Sequence, residues 1–249
     1  MIRAARRRLL PAVAVAAVLL GAGLAFALTG RPPASRTSAT TAPAPASPAG
    51  AAGPGSLGQP QVPQVGLASV RWSGFYGVEL PVSAQAGPYD TSAGIATGFA
   101  HTPLGALLAA VNIGVRANAQ WGPRIFTTVI RSQVTGPDAA ALLAGCQAAY
   151  DQAAQSGQVT GGQPLGTVDV TEQAFRWVAY TPAAAILDLV SAGPGSNGAT
   201  VRASVQMEAV WDGGDWKVVA PPGGDWGNSA AELSSLAGYT VFPAQGDGR

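Results

Sequence analysis

His101 is the only histidine in the chain, and that count removes several kinds of chemistry at once. A two-histidine metal site is impossible, and a Ser-His-Asp triad would have to be built on His101 itself. No Gly-x-Ser-x-Gly elbow accompanies it. Thr102 and Pro103 follow, which puts His101 just ahead of a helix, as a structural or exposed residue. The more suggestive acid is Asp188, which interrupts the apolar run Ala183–Ser191 and shares a face with Ile186 and Val190. In an apolar pocket such a carboxyl is held above its usual range and can act as a base. On a strand it can equally reach solvent or a neighbouring Arg. No Tyr, His or second acid is spaced to cooperate with it, so the structural role is expected.

The other candidates have plain readings. Asp212 and Asp215 flank two glycines, and a hairpin turn accounts for them better than a calcium or catalytic site. Gly193–Gly198 (GPGSNG) lacks the Lys-Ser/Thr and the helix of a phosphate loop. Cys146 is alone, which excludes an intramolecular disulfide and a Cys-rich zinc site. Its apolar helical surroundings read as core rather than as a reactive thiol. Trp72, Trp121, Trp177, Trp211, Trp216 and Trp226 suit core packing or an interaction surface better than an aromatic cage. No residue is assigned a catalytic, cofactor-binding or metal-ligating role, and no cofactor is implied.

The elements that position these residues lie in the second part of the chain. Sixteen of the seventeen aromatic residues and all thirteen Asp and Glu fall after position 65. Only 66–249 therefore has the side chains that offset the entropy of ordering a backbone. Eight basic residues against thirteen acids give it a net charge of −5, while the front carries six Arg and no acid. An acidic domain without a Lys/Arg cluster does not suit nucleic acid, so no direct binding to it is expected.

Val70–Val82 reads as a first strand ended by Pro81, followed by a loop over 83–101. A helix then starts at Thr102 as N-cap with Pro103 in its first position, and Leu104, Leu107, Leu108, Val111 and Val115 make one apolar stripe. Arg124–Val134 fits a strand by its β-branched content and a helix by its place in the chain. A further helix is predicted from Pro137 to Ser156, with Thr135 and Asp138 as a capping pair and Leu142, Leu143, Cys146, Tyr150 and Ala153 as its stripe. The remainder reads as antiparallel sheet: Glu172–Tyr180, Ala183–Ser191, and a hairpin. In that hairpin Val201 to Trp211 alternates apolar and polar, Asp212–Asp215 turns, and Trp216 and Val218 return on one face. The layout is α+β, with helices on one face of a curved antiparallel sheet.

Ahead of the domain, residues 1–8 form a basic tail and Leu9–Leu28 an uncharged apolar run. Twenty helical residues span about 30 Å, one hydrocarbon core. Four Arg on the short side keep it cytoplasmic and send the domain outward. Ala25-Phe26-Ala27 also fits a signal-peptide cleavage site, although the run exceeds a usual h-region. A single-pass anchor in the cell membrane is the expectation, with a secreted domain as the alternative. Residues 29–65 hold eight Pro among Ala, Ser, Thr and Gly and cannot build a core, so they read as a linker.

Two stretches carry a resemblance. The sheet half, FRWVAYTPAAAILDLVSA and VRASVQMEAVWDGGDWKVV, resembles the nuclear-transport-factor-2-like cone, whose late hairpin often has this form. The helix opening HTPLGALLAAVN (His101–Asn112) looks like actinobacterial membrane proteins of conjugative elements, similar to the inner-membrane scaffold subunit of type IV secretion systems. The resemblance implies a non-enzymatic, membrane-anchored scaffold component of a conjugative DNA-transfer apparatus. Its partners would be other subunits of a membrane transfer complex, with homo-oligomers among the expected assemblies. The alternative is an extracytoplasmic pocket domain that binds or transforms a small apolar ligand.

Overall fold

In a computed structural model the described residues are 62–245, apart from 158, 160 and 196–198. The basic tail 1–8, the apolar run 9–28 and residues 29–61 of the linker lie outside them, as do residues 196–198 of the Gly193–Gly198 loop. Among the described residues no helix is long and apolar enough to cross a membrane.

The first strand of the sequence reading is a hairpin of two. Strand β1 (Val70–Phe75) pairs antiparallel with β2 (Val78–Ser83), Val70 opposite Ser83 and Phe75 opposite Val78. Tyr76 (φ 48°) and Gly77 (φ 89°) make the two-residue turn between them, a left-handed pair that matches strand twist. Pro81 does not end the strand. It sits opposite Trp72 in a two-stranded ribbon, where few ladder bonds are at stake.

Helix α1 (Pro103–Arg116) starts as expected, with Thr102 Oγ1 accepting from the Gly105 N–H at 3.1 Å. The expected single stripe is corrected, because every residue from Gly105 to Arg116 is buried. The hairpin β1–β2 packs on one side of α1, and the main sheet and a second helix cover the rest. A helix enclosed on all sides must be apolar all round, and Gly105, Ala106, Ala109 and Ala110 allow the close approach. At Gly105 any Cβ would run into the Ala100 carbonyl.

Residues 124–134 resolve as helix α2 (Pro123–Gln133). Gly122 at φ 81° turns the chain into Pro123, and Ile125, Phe126, Val129 and Ile130 fall on one buried face. That helical period outweighs the β-branched content. Strand β3 (Val134–Thr135) follows at once and pairs parallel with a later strand, so the expected Thr135–Asp138 capping pair does not form. Asp138 holds the N-cap position of α3 (Ala139–Gln155) without a side-chain bond. Leu142, Cys146, Tyr150 and Ala153 of the expected stripe are buried, and Leu143 is half-buried at its margin.

The sheet continues with β4 (Thr171–Tyr180), β5 (Ala184–Pro194), β6 (Thr200–Asp212), β7 (Asp215–Val219), β8 (Ala230–Glu232) and β9 (Thr240–Val241). Its order is β3-β7-β6-β5-β4-β9, with β8 on the edge of β6 beside β7. All pairs are antiparallel except β3–β7, so the sheet is mixed rather than purely antiparallel. The β6–β7 hairpin has the expected register, Trp211 opposite Trp216 and Asp212 opposite Asp215. Leu187 and Leu189 of β5, Val205, Met207 and Ala209 of β6, and Trp216 and Val218 of β7 are buried in the core shared with α1. The α+β class holds.

Candidate functional site

Among the described residues the one buried cation is Arg116, in the last turn of α1 and only 4% exposed. Asn112 sits one turn earlier on the same face and is buried completely. Its Nδ2 donates to the Pro81 carbonyl in β2 at 2.8 Å and to the Leu108 carbonyl at 3.0 Å. Those bonds fix the amide so that Oδ1 accepts from Arg116 Nη1 at 2.7 Å, and the Asn112 carbonyl accepts from the same nitrogen at 3.1 Å. The guanidinium carbon lies 4.3 Å from the centre of the Phe75 ring, a cation–π contact that fixes the plane of the group. Phe75 in turn meets Trp121 edge-on at 5.2 Å, and Tyr76 stacks on Trp121 at 6.0 Å.

Among the described residues Arg116 lacks a counter-ion. Nε is buried with no acceptor, Nη2 makes no hydrogen bond within the described residues, and no described carboxylate forms an ion pair with the group. Burial alone pulls its pKa down to about 10, still far above neutrality, so it stays charged. Arg116 and Asn112 line a cavity of about 300 Å³ together with Ser73, Phe75, Tyr76, Leu80, Val82 and Thr91. Ser73, Tyr76 and Thr91 are exposed and mark its mouth. Asp90, next to that mouth in sequence, is engaged elsewhere: it accepts from the Ser92 N–H and hydroxyl.

The residues singled out by sequence lie apart from this cavity. His101 is exposed and stacks on Trp211 at 4.0 Å between centroids, with Nε2 against the Pro182 carbonyl. Asp188 pairs with Arg176 Nη2 at 2.5 Å and accepts from Gln206 Nε2 at 3.3 Å, the Arg-paired arrangement weighed for it above. Asp212 pairs with Lys217 at 2.7 Å. Asp215 does more than turn the chain: its carboxylate accepts the N–H groups of Gly98 and Phe99, at 2.8 and 3.0 Å, and ties the loop before α1 to the hairpin. Cys146 is buried, its Sγ 3.8 Å from the Ala117 carbonyl, and burial pushes the thiol up to about 11. Among the described residues no cluster of His, Cys, Asp and Glu is arranged to hold a metal.

Two buried charged residues, Glu172 and Arg116, escaped the sequence reading. Glu172 on β4 is 1% exposed and receives the Ser191 hydroxyl on its carboxylate. Burial raises it to about 7, against the opposing effect of that hydroxyl. Arg116 had a visible signal, since it is the only charged residue in the helical run from Thr102 to Ala117. That signal reads as a solvated helix end until the hairpin is known to fold over it.

The family model described as Domain of unknown function (DUF8175) matches residues 32–241. No curated protein and no solved structure matches the chain.

Proposed function

We propose that this chain, which belongs to the DUF8175 family, is a membrane-anchored, non-enzymatic scaffold component of a conjugative DNA-transfer apparatus. Its outer domain would be a nuclear-transport-factor-2-like cone, held outside the cytoplasm by Leu9–Leu28 and the Pro-rich linker. The observation that carries the reading is the contact between the two stretches on which the resemblance rests. His101, at the head of the helix opening, stacks on Trp211 of the late hairpin, and Trp216 Nε1 donates to the Ala100 carbonyl at 3.0 Å. The two motifs thus form one structural unit rather than two coincident patterns. Further support comes from the titratable residues singled out by sequence. His101, Asp188, Asp212 and Asp215 are each engaged in a contact within the fold. A domain of this kind works by presenting surfaces, and its partners are the other subunits of the membrane complex and further copies of itself.

Transfer frequency in a strain lacking the gene tests the reading. The full chain should restore transfer. A chain whose first 28 residues are replaced by a cleavable secretion signal should not, because release from the membrane removes the effective concentration that tethering supplies. Unchanged transfer in the deletion strain, or full rescue by the released domain, removes the scaffold reading. Intact mass of the membrane-extracted protein tests the anchor separately. A mature chain beginning at Leu28 would sink it.

A further inference from the structure

We propose that the cavity over Arg116 is a binding site for a small organic monocarboxylate with an apolar or aromatic body. Placing a guanidinium in the core costs free energy unless its donors are matched. Asn112 matches only Nη1, through two acceptors, and among the described residues Nε and Nη2 have no acceptor. The carbonyls of the last helical turn favour a cation there, yet they do not reach the Nε–Nη2 edge. Nε is closed off by its surroundings, so Nη2 is the donor left open, and it can give a carboxylate oxygen a charge-assisted bond.

The surroundings narrow the ligand further. Asn112 is itself saturated by Pro81, Leu108 and Arg116, so it positions the cation and offers no bond of its own. Phe75, Leu80 and Val82 supply apolar wall, and Ser73, Tyr76 and Thr91 are, beside Asn112, the uncharged polar residues of the lining. A volume of about 300 Å³ is at the small end for ligand sites, room for a benzoate-sized molecule rather than a nucleotide. One unpaired positive charge balances a monoanion, and a phosphate dianion would bring more charge than the cavity matches. A neutral apolar ligand would leave the guanidinium as unpaired as before.

The test uses the full chain in detergent with benzoate and hexanoate as probes, benzyl alcohol as the neutral counterpart, and inorganic phosphate. Calorimetry should show saturable, one-to-one binding of a carboxylate, with benzyl alcohol weaker by roughly tenfold or more. Arg116→Gln should weaken carboxylate binding by a similar factor while far-UV circular dichroism stays unchanged. If that variant fails to fold, Ser73→Trp at the exposed mouth should block the cavity and abolish binding with the core untouched. Absence of saturable binding of both carboxylates overturns the proposal. So do equal affinity for benzyl alcohol, binding of phosphate with the carboxylates silent, and carboxylate binding that survives Ser73→Trp. None of these outcomes bears on the scaffold reading, which the transfer assay decides.

Discussion

Ser191 Oγ lies 3.0 and 2.9 Å from the two carboxylate oxygens of Glu172, and this one hydroxyl faces an acid that water does not reach. The hydroxyl favours the charged form and burial favours the neutral one. Burial wins, and the group titrates at about 7 instead of 4.5. The folded chain thus holds its proton more tightly than the unfolded chain. Stability from this group is complete below pH 4.5, declines as pH rises through 7, and levels off above it.

A shift of that size corresponds to about 3 kcal/mol between pH 4.5 and pH 8. Glu172→Gln removes the titration while its side-chain carbonyl still accepts from Ser191. We expect the variant to match the parent near pH 4.5 and to melt about 6–10 °C higher at pH 8. Melting curves at the two pH values check this. A parent and a variant that lose stability in parallel would show that Glu172 is not the buried titrating acid.

The two acids of the hairpin turn should separate cleanly on mutation. Asp215 is bound to the backbone of Gly98 and Phe99, whereas Asp212 makes an exposed pair with Lys217. Asp215→Ala leaves those N–H groups short of acceptors and should cost about 1–3 kcal/mol. Asp212→Ala removes a solvated ion pair and should cost well under about 1 kcal/mol. Denaturant midpoints for the two variants decide it, and equal losses would contradict the assignment of Asp215 as a loop tie.

These contrasts show what could be read from sequence. The β6–β7 hairpin, the Thr102 cap and the α3 stripe were legible because each rests on local chemistry: period-2 alternation, a capping hydroxyl, helical spacing. The parallel β3–β7 pair, the enclosure of α1 and the tie from Asp215 to Gly98 were not, because each depends on segments far apart in the chain. Val70–Val82 looked like one strand because Pro81 is a stronger signal than Tyr76-Gly77, although the latter makes the turn. The cavity was hidden for the same reason. Arg116 and Phe75 are 41 residues apart, and only the hairpin folding back on α1 brings them together.

Cys146 should be a poor nucleophile in the folded protein. Its thiol is buried in α3 and held at about 11 rather than 9 by burial, so the thiolate fraction at pH 8 falls roughly hundredfold. Labelling with a disulfide reagent should be at least that much slower in native buffer than in denaturant. Comparable rates in the two conditions would mean that α3 opens readily from the core.

Asp188 is the residue on which a catalytic reading would most readily be built, and its contacts argue for a modest role. Arg176 binds it from across β4 and β5, but that side chain is about half exposed and its guanidinium also rests over the Tyr239 ring at 4.7 Å. Loss of the carboxylate therefore leaves Arg176 with water and an aromatic face rather than buried and unpaired. Asp188→Asn keeps a carbonyl oxygen for Arg176 and Gln206, so it should cost no more than about 1 kcal/mol. A double-mutant cycle with Arg176→Ala should give a coupling energy of similar size. Transfer frequency with Asp188→Asn should stay within about threefold of the parent, since the substitution disturbs neither the hairpin nor the helix opening. Should Asp188→Asn abolish a ligand-binding or turnover activity with the fold and stability intact, Asp188 belongs to a second site on the sheet, and the scaffold reading yields to a pocket domain.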